Sequence, residues 1–170
     1  MKKIITSWLV TVGFLGLVTV AQGQAAPGRE RHSMNEAWQF QKDDPAGSEG
    51  LLSYEKVKDW VAASGNELTA DASAWRVRPP GNIGGNVSYT QRNFDDHGWR
   101  RLDLPHDWGI EGPFKQEYPG ETGKLPWWGV GWYRKHFTAT PVEKGKQFYL
   151  DIDGAMAYSM VWLNGHFVGG

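Results

Sequence analysis

The segment that decides the fold class reads Ala157-Tyr-Ser-Met-Val-Trp-Leu-Asn-Gly-His-Phe-Val168. Ala157 to Leu163 is apolar on both faces of an extended chain, which is typical of a buried strand. Asn164-Gly165 then predicts a two-residue type I′ turn, because that turn needs positive φ at both central positions. His166-Phe167-Val168 starts the returning strand. The segment therefore predicts a β-hairpin.

Alternating patterns upstream predict further strands. The clearest is Gln147 to Asp153, where Phe148, Leu150 and Ile152 share one face and more polar residues share the other. Shorter strands are expected at Trp38–Phe40, Trp99–Leu104 and Trp132–Ala139. Because 22 Gly and 14% aromatic residues also favour turns and pleated surfaces, the sequence predicts an all-β fold.

One helix and one loop interrupt these strands. Helical spacing of apolar residues runs from Ser53 to Ala63, with Ser53 as N-cap and Ser64-Gly65-Asn66 as the end. Trp60 is expected to dock this helix. The tract 78–86 contains two prolines, which lack a backbone donor, and three glycines, so we predict a surface loop there.

The predicted strands are too few for a closed sandwich. About five short strands would leave a bare sheet edge after the hairpin. Natural domains cover such edges because they template aggregation. We therefore expect the chain to be a truncated piece of a β-sandwich whose other strands lie downstream.

The N-terminus has the pattern of a secretory signal peptide over residues 1–23. Lys2 and Lys3 precede an apolar stretch from Ile4 to Val20, and Ala21-Gln22-Gly23 offers small residues for cleavage. A membrane anchor is the alternative, but the stretch is short and is interrupted by polar residues and glycines. We expect an exported protein, periplasmic or extracellular, with a flexible leader over 24–33 and no membrane contact after cleavage.

Composition excludes several classes of site. Eighteen Lys plus Arg balance nineteen Asp plus Glu without a basic run, so nucleic acid is not an expected partner. The chain has no Cys, which excludes disulfides, thiolate metal sites and a Cys nucleophile. The five His lack the spacing of a metal-ligand pair, so no metal site is expected in this chain.

Residues 99–113 carry the most specific motif: Trp99-Arg-Arg-Leu-Asp-Leu-Pro-His-Asp-Trp-Gly-Ile-Glu-Gly-Pro113. This run resembles the hallmark of the N-terminal sugar-binding domain of glycoside hydrolase family 2. Three further segments resemble the family in the same order: Gly129–Lys135, Leu150–Ala155 and Val161–Gly165. Asn35–Phe40 is similar to the family's first strand, so the resemblance covers residues 34–170. An insertion over 53–86 resembles one found in some secreted bacterial β-galactosidases.

The resemblance implies a jelly-roll β-sandwich of the galactose-binding type, incomplete at its C-terminus. An immunoglobulin-like domain and a (β/α)8 barrel would follow in the same chain. The implied activity is retaining hydrolysis of terminal β-galactosides, with β-glucuronides and β-mannosides as alternatives. Retention needs two carboxylates about 5 Å apart, and the family's pair lies on the barrel and matches no residue here. No cofactor is expected in this chain, which alone should be inactive; a divalent or monovalent cation in the barrel stays open.

Five residues are candidates for carbohydrate binding. The run 105–108 predicts a tight turn in which Asp107 caps backbone amides and Trp108 packs, with direct sugar contact as the alternative. By the resemblance, the loop that follows leans toward the active-site mouth, so Glu111 is expected to shape the pocket. Trp127 and Trp128 lie on a loop, where an indole can stack on the C–H face of a pyranose. Alternatively, one of these two rings packs in the core and the other covers an interface.

Three functions remain open at this point. The first is the front part of a secreted glycosidase, whose partners are a β-galactoside or related glycan and the downstream domains. The second is a non-catalytic carbohydrate-binding module. The third is a piece that only supports the barrel. A jelly roll serves all three, so the fold class does not choose between them.

Overall fold

The computed structural model describes residues 30–126, 129–139, 145–155 and 158–170, without the side chains of Glu67 and Thr122. Contacts divide the chain into two units, Met1–His32 and Ser33–Gly170. In the first unit only residues 30–32 are described, and they have no regular secondary structure. The predicted signal peptide and residues 24–29 of the leader lie outside the described residues. Within the described part, none of the helices is long and apolar enough to cross a bilayer.

The second unit contains a three-stranded antiparallel sheet. Strand β1 (Trp38–Lys42) lies between β2 (Arg100–Leu102) and β3 (Gly131–Arg134). Phe40 is buried at the centre of β1 and stands opposite Arg100 on β2 and Tyr133 on β3. This register places a basic and a phenolic side chain beside one buried aromatic ring.

The predicted hairpin is confirmed. Strands β4 (Val161–Leu163) and β5 (His166–Gly169) pair antiparallel through Leu163 opposite His166. Asn164 and Gly165 have φ of 51° and 86°, as a type I′ turn requires at both central positions. The two residues that predicted the turn therefore form it.

The predicted helix is also confirmed, as α1 (Tyr54–Ser64). Its buried residues are Val57, Trp60 and Ala63, and the Trp60 ring packs edge-on against Phe167 of β5 with 5.9 Å between centroids. Ser53 occupies the N-cap position with an extended backbone, although its side chain makes no capping hydrogen bond. The apolar stripe of α1 thus fixes the helix on the hairpin, as we expected for Trp60.

The loop 78–86 has no ladder, as predicted, but it packs closely on the hairpin. Asn82 Nδ2 donates to the Gly165 carbonyl at 2.7 Å, and Asn82 Oδ1 accepts from Phe167 N at 2.9 Å. Trp162 Nε1 donates to the Ile83 carbonyl at 2.8 Å. These bonds replace strand pairing, so the loop holds a defined conformation without being a strand.

Four strand predictions need correction. Residues 147–153 form no strand, and Phe148, Leu150 and Ile152 are more than half exposed. The predicted strand 132–139 extends only to Arg134. The strand predicted at 99–104 covers only Arg100–Leu102, and the one predicted at 157–163 covers only Val161–Leu163. An alternating pattern predicts which face of a strand would be buried. It does not predict whether another strand is available for pairing, and without pairing no strand forms. In the described part of the chain no strand pairs with 147–153.

The described residues contain five strands and one α-helix, so the fold is all-β. Five short 3-10 turns connect these elements. Their bounds are Gly65–Leu68, Ala72–Ala74, Ser88–Thr90, Trp108–Ile110 and Gly120–Thr122. The core between sheet and hairpin is aromatic, since the rings of Trp132 and Trp162 stack at 5.6 Å and 26°. A jelly-roll order of strands stays a prediction.

Candidate functional site

A cleft of about 600 Å³ opens beside the three-stranded sheet. Strand β1 contributes Phe40 and Lys42, strand β2 contributes Arg100, and the turn that follows β2 contributes the rest. Its lining residues are Phe40, Lys42, Arg100, Trp108, Glu111 and Gly112. The cleft therefore brings together two of the residues predicted to bind carbohydrate, Trp108 and Glu111.

The turn at the edge of the cleft is built around Asp107. Its Oδ1 accepts a hydrogen bond from Gly109 N at 2.8 Å, at the start of the turn Trp108–Ile110. The prediction that Asp107 caps backbone amides is therefore confirmed. Because this bond fixes the backbone on both sides of Trp108, the short Asp side chain sets where the indole lies.

Trp108 packs over a glycine. A Cβ at Gly131 would lie 2.4 Å from Trp108 Nε1, so only glycine leaves room for the indole at this point of β3. The ring is half-buried, and Lys42 Nζ lies 6.0 Å from its centroid. One part of the indole is packed and the rest lines the cleft, where a flat apolar ring can stack on a ligand.

In the same cleft, Arg100 and Glu111 form a bidentate ion pair. Arg100 Nη1 donates to Glu111 Oε2 at 3.0 Å, and Nη2 donates to Oε1. The guanidinium lies over the Phe40 ring, 5.2 Å from its centroid. Hydrogen bonds from Arg100 and His106 lower the pKa of Glu111 to about 2. Glu111 is therefore a carboxylate at any pH near neutrality.

A chain of hydrogen bonds joins Tyr133 and His106 to Glu111 of this pair. His106 Nε2 lies 2.9 Å from Glu111 Oε1, and Nδ1 lies 2.8 Å from the Tyr133 hydroxyl. Burial, with the negative charges of Asp107 and Glu111, raises the pKa of Tyr133 to about 12. His106 thus pairs with Glu111, five residues along the chain, and not with the neighbouring Asp107.

Sequence reasoning missed Arg100, Lys42 and Tyr133 as parts of this site. Cross-strand register decides which side chains lie side by side in a sheet, so these residues could be assigned to the site only once the strand order is known. Pairing Phe40 with Arg100 and Tyr133 requires knowledge of the strand order β2-β1-β3. That order depends on contacts between residues about 60 and 90 positions apart, which no local pattern encodes.

Two predicted ligand residues, Trp127 and Trp128, lie outside the described residues. Among those that are described, no group of three or more His, Asp or Glu side chains could hold a metal ion. The acidic side chain among the described lining residues is Glu111, which is ionised and paired with Arg100.

Comparison with known proteins relates the chain to carbohydrate enzymes. Residues 94–170 match the family model described as "Beta-galactosidase second all-beta domain". A β-galactosidase of Bacteroides ovatus is 47% identical over 93 residues, which are 54% of this chain and 10% of that protein. The matched part of the chain is similar to β-galactosidases of glycoside hydrolase family 2. The matched region contains all of the motifs that carried the resemblance after Asn93.

Two other relatives in this family are more distant. A β-galactosidase of Thermoanaerobacter pseudethanolicus is 34% identical over 77 residues, 45% of this chain and 10% of that protein. A β-glucuronidase of Formosa agariphila is 28% identical over 81 residues, 45% of this chain and 8% of that protein. The chain thus spans about a tenth of the length of these glycoside hydrolases. No solved structure gives a significant match.

The description of the family model also bears on where the segment lies in its relatives. It names an all-β domain, as the sequence predicted, and calls it the second of its kind. The resemblance of 99–113 implied the N-terminal domain instead. Placement within a longer protein therefore stays a prediction, while the all-β class and the similarity to glycoside hydrolases are shown.

Proposed function

We propose that this chain is the sugar-binding part of an exported glycosidase that hydrolyses terminal β-galactosides with retention, and that its cleft contacts the sugar. The observation that carries the proposal is that Trp108 and the Arg100–Glu111 pair line the same cleft. An indole stacks on the apolar face of a pyranose. Fixed charged groups offer hydrogen bonds to its hydroxyls.

The cleft lies in the region that matches β-galactosidases, apart from the two residues on β1. This supports galactosides as the substrate class, because the β-galactosidase of B. ovatus is 47% identical over its matched part. In this proposal the bond-breaking carboxylates belong to a barrel outside these 170 residues, as do an immunoglobulin-like domain and any cation the barrel needs. The cleft then contributes binding and orientation, which accelerate a reaction by placing the sugar correctly.

A stand-alone carbohydrate-binding module is the second candidate. The same observation supports it, because stacking on Trp108 and hydrogen bonds to the Arg100–Glu111 pair can hold a sugar without any bond-breaking carboxylate. The two candidates therefore agree that the 170-residue chain binds sugar, and they differ in whether the natural gene product hydrolyses it.

The first experiment addresses the cleft. Titration of the purified 170-residue chain with methyl β-galactoside should quench its Trp fluorescence, and the quenching should saturate. The Trp108→Ala substitution should weaken this binding about three- to tenfold. Trp75→Ala is the matched control, because Trp75 lies in the insertion and is 54% exposed. An equal loss in both variants, or no saturable binding by the unmodified chain, would contradict the proposal.

The second experiment separates enzyme from module. Sequencing the transcript past the Gly170 codon and sizing the natural product on a denaturing gel establishes its length. A long product that hydrolyses nitrophenyl β-galactoside, with a raised KM after Trp108→Ala, supports the glycosidase. A stable short product that binds methyl β-galactoside and hydrolyses nothing supports the module and overturns the enzymatic proposal.

A further inference from the structure

We propose that Glu111 determines specificity in this cleft: by occupying the guanidinium of Arg100, it makes the cleft select neutral glycosides over uronides. This inference rests on the proposed function, namely that the cleft contacts the sugar. Relatives of the chain include both β-galactosidases and a β-glucuronidase, so sequence similarity leaves the choice open. A galactoside and a glucuronide differ in charge at C6, where the uronide bears a carboxylate.

An arginine is the side chain best suited to a sugar carboxylate. Its planar fork binds two carboxylate oxygens at once, which a lysine ammonium does not reproduce. Among the described lining residues the cations are Arg100 and Lys42. Glu111 already takes both terminal nitrogens of Arg100, so a uronide would have to displace it. A neutral sugar makes no such demand.

The contacts around Glu111 oppose its displacement. His106 Nε2 contacts the same Oε1 that accepts from Arg100, and the Tyr133 hydroxyl holds His106 in place. Phe40 packs below the guanidinium and limits where Arg100 can turn. Glu111 is also covalently part of the same turn, which keeps its local concentration far above that of a free ligand. The pair therefore persists when a sugar enters.

Loss of the Glu111 charge should weaken this preference. In Glu111→Gln, an amide replaces the carboxylate at nearly the same size, and the Arg100 fork becomes open to an external carboxylate. The affinity ratio of methyl β-glucuronide to methyl β-galactoside should then rise about five- to tenfold, a modest value because the site is partly exposed. The gain should diminish at high salt, since screening weakens the new ion pair.

The experiment compares the 170-residue chain with three variants by calorimetry and Trp emission, using these two methyl glycosides as probes. Glu111→Gln tests the proposal directly. The double variant R100Q/E111Q removes the fork and should lose the gain. Glu55→Gln is the matched control, because Glu55 pairs with Lys58 on the exposed surface of α1 and its loss changes net charge equally. Glu55→Gln should leave the ratio unchanged.

Each outcome decides between defined alternatives. A rise in the ratio for Glu111→Gln alone supports the inference. An unchanged ratio, with galactoside still bound, overturns it and leaves the proposed function intact. A rise that persists in R100Q/E111Q assigns uronide binding to Lys42 and overturns the role of Arg100. Absence of binding to either glycoside by every protein contradicts the proposed function itself. Circular dichroism checks folding, and Glu111→Ala replaces Glu111→Gln if the latter unfolds.

Discussion

Gly84 lies directly beneath the indole of Trp162. A Cβ at this position would approach Trp162 Cζ2 to 2.9 Å, and the residue also has φ of 73°. The loop can reach the hairpin only because glycine occupies this point. The carbonyl of the preceding residue, Ile83, accepts the indole N–H at 2.8 Å. The close approach of Gly84 to the ring and the hydrogen bond to Ile83 together fix Trp162 in the aromatic core.

Gly84→Ala should therefore destabilise the protein by about 2–4 kcal/mol, because the methyl clashes with a ring that the core holds in place. Gly81→Ala is the matched control, since Gly81 also has positive φ, 96°, but has no atom within 4 Å of an added Cβ. Urea unfolding measures both variants. The difference in unfolding free energy between the two variants measures the clash with Trp162. Equal losses of stability in both variants would contradict this clash.

A second close approach, between Gly131 and the indole of Trp108, sets the shape of the cleft. Gly131→Ala should displace the Trp108 indole, whose Nε1 would lie 2.4 Å from the new Cβ. We expect a loss of about 1–3 kcal/mol in stability and a clear change in Trp emission. Binding of methyl β-galactoside should weaken as much as in Trp108→Ala.

The control for this prediction is Gly98→Ala. Gly98 precedes β2 and has no atom within 4 Å of an added Cβ. Its substitution should leave emission and sugar binding unchanged. If Gly131→Ala binds methyl β-galactoside as tightly as Gly98→Ala does, the placement of Trp108 in the sugar site is wrong.

The hairpin and helix could be predicted from sequence because their signals are local. Asn164 and Gly165 set their own φ values, and α1 ends where its apolar spacing ends at Ser64. The turn around Asp107 was predictable for the same reason. Local chemistry decides each of these features, so no distant contact can easily reverse them.

The strand at 147–153 and the ion pair of the cleft could not be predicted in this way. Alternation of Phe148 with its neighbours was correct as a pattern, but pairing depends on another segment. Arg100 and Glu111 stand eleven residues apart, and their contact depends on the turn between them. The contacts of His106 with Glu111 and Tyr133 also depend on the fold, since Tyr133 lies 27 residues further along the chain.

A buried carboxylate on the other side of the sheet makes stability depend on pH. Asp96 is 5% exposed and accepts from Arg134 Nε at 2.8 Å, with His136 Nε2 at 2.7 Å. Burial raises its pKa, but the hydrogen bonds from His136 and Arg134 outweigh burial, and the net shift is downward from 3.8. A depressed pKa contributes stability that is present above the unfolded value and is lost as pH falls through the folded one.

Asp96→Asn should therefore lower stability at neutral pH, by about 2–3 kcal/mol, because it leaves a mostly buried guanidinium without its counter-charge. The same variant should lose less stability than the unmodified chain as pH falls below about 4. Thermal unfolding from pH 7 to acid measures both effects. Asp59→Asn, at an exposed position of α1, should change neither. If the stability of Asp96→Asn and of the unmodified chain falls equally steeply with decreasing pH, the acid dependence does not come from Asp96.

Tyr133 should make stability fall at alkaline pH. Its pKa is raised to about 12 by burial and by the charges of Asp107 and Glu111, above the ordinary value of 10.0. A phenol with a raised pKa contributes stability that is full below about pH 10 and is lost as pH rises toward about 12. Tyr133→Phe keeps the ring, which lies 5.0 Å from Phe40, but removes the hydroxyl that contacts His106.

We expect Tyr133→Phe to cost about 1 kcal/mol at neutral pH, the usual value of one hydrogen bond. Between about pH 10 and pH 12 its stability should fall less steeply than that of the unmodified chain. Tyr149→Phe is the control, because Tyr149 is 73% exposed and its hydroxyl donates to Gln147 on the surface. Urea midpoints across this range measure the effect. A slope in Tyr133→Phe as steep as in Tyr149→Phe would contradict a pKa of Tyr133 raised by burial and by the charges of Asp107 and Glu111.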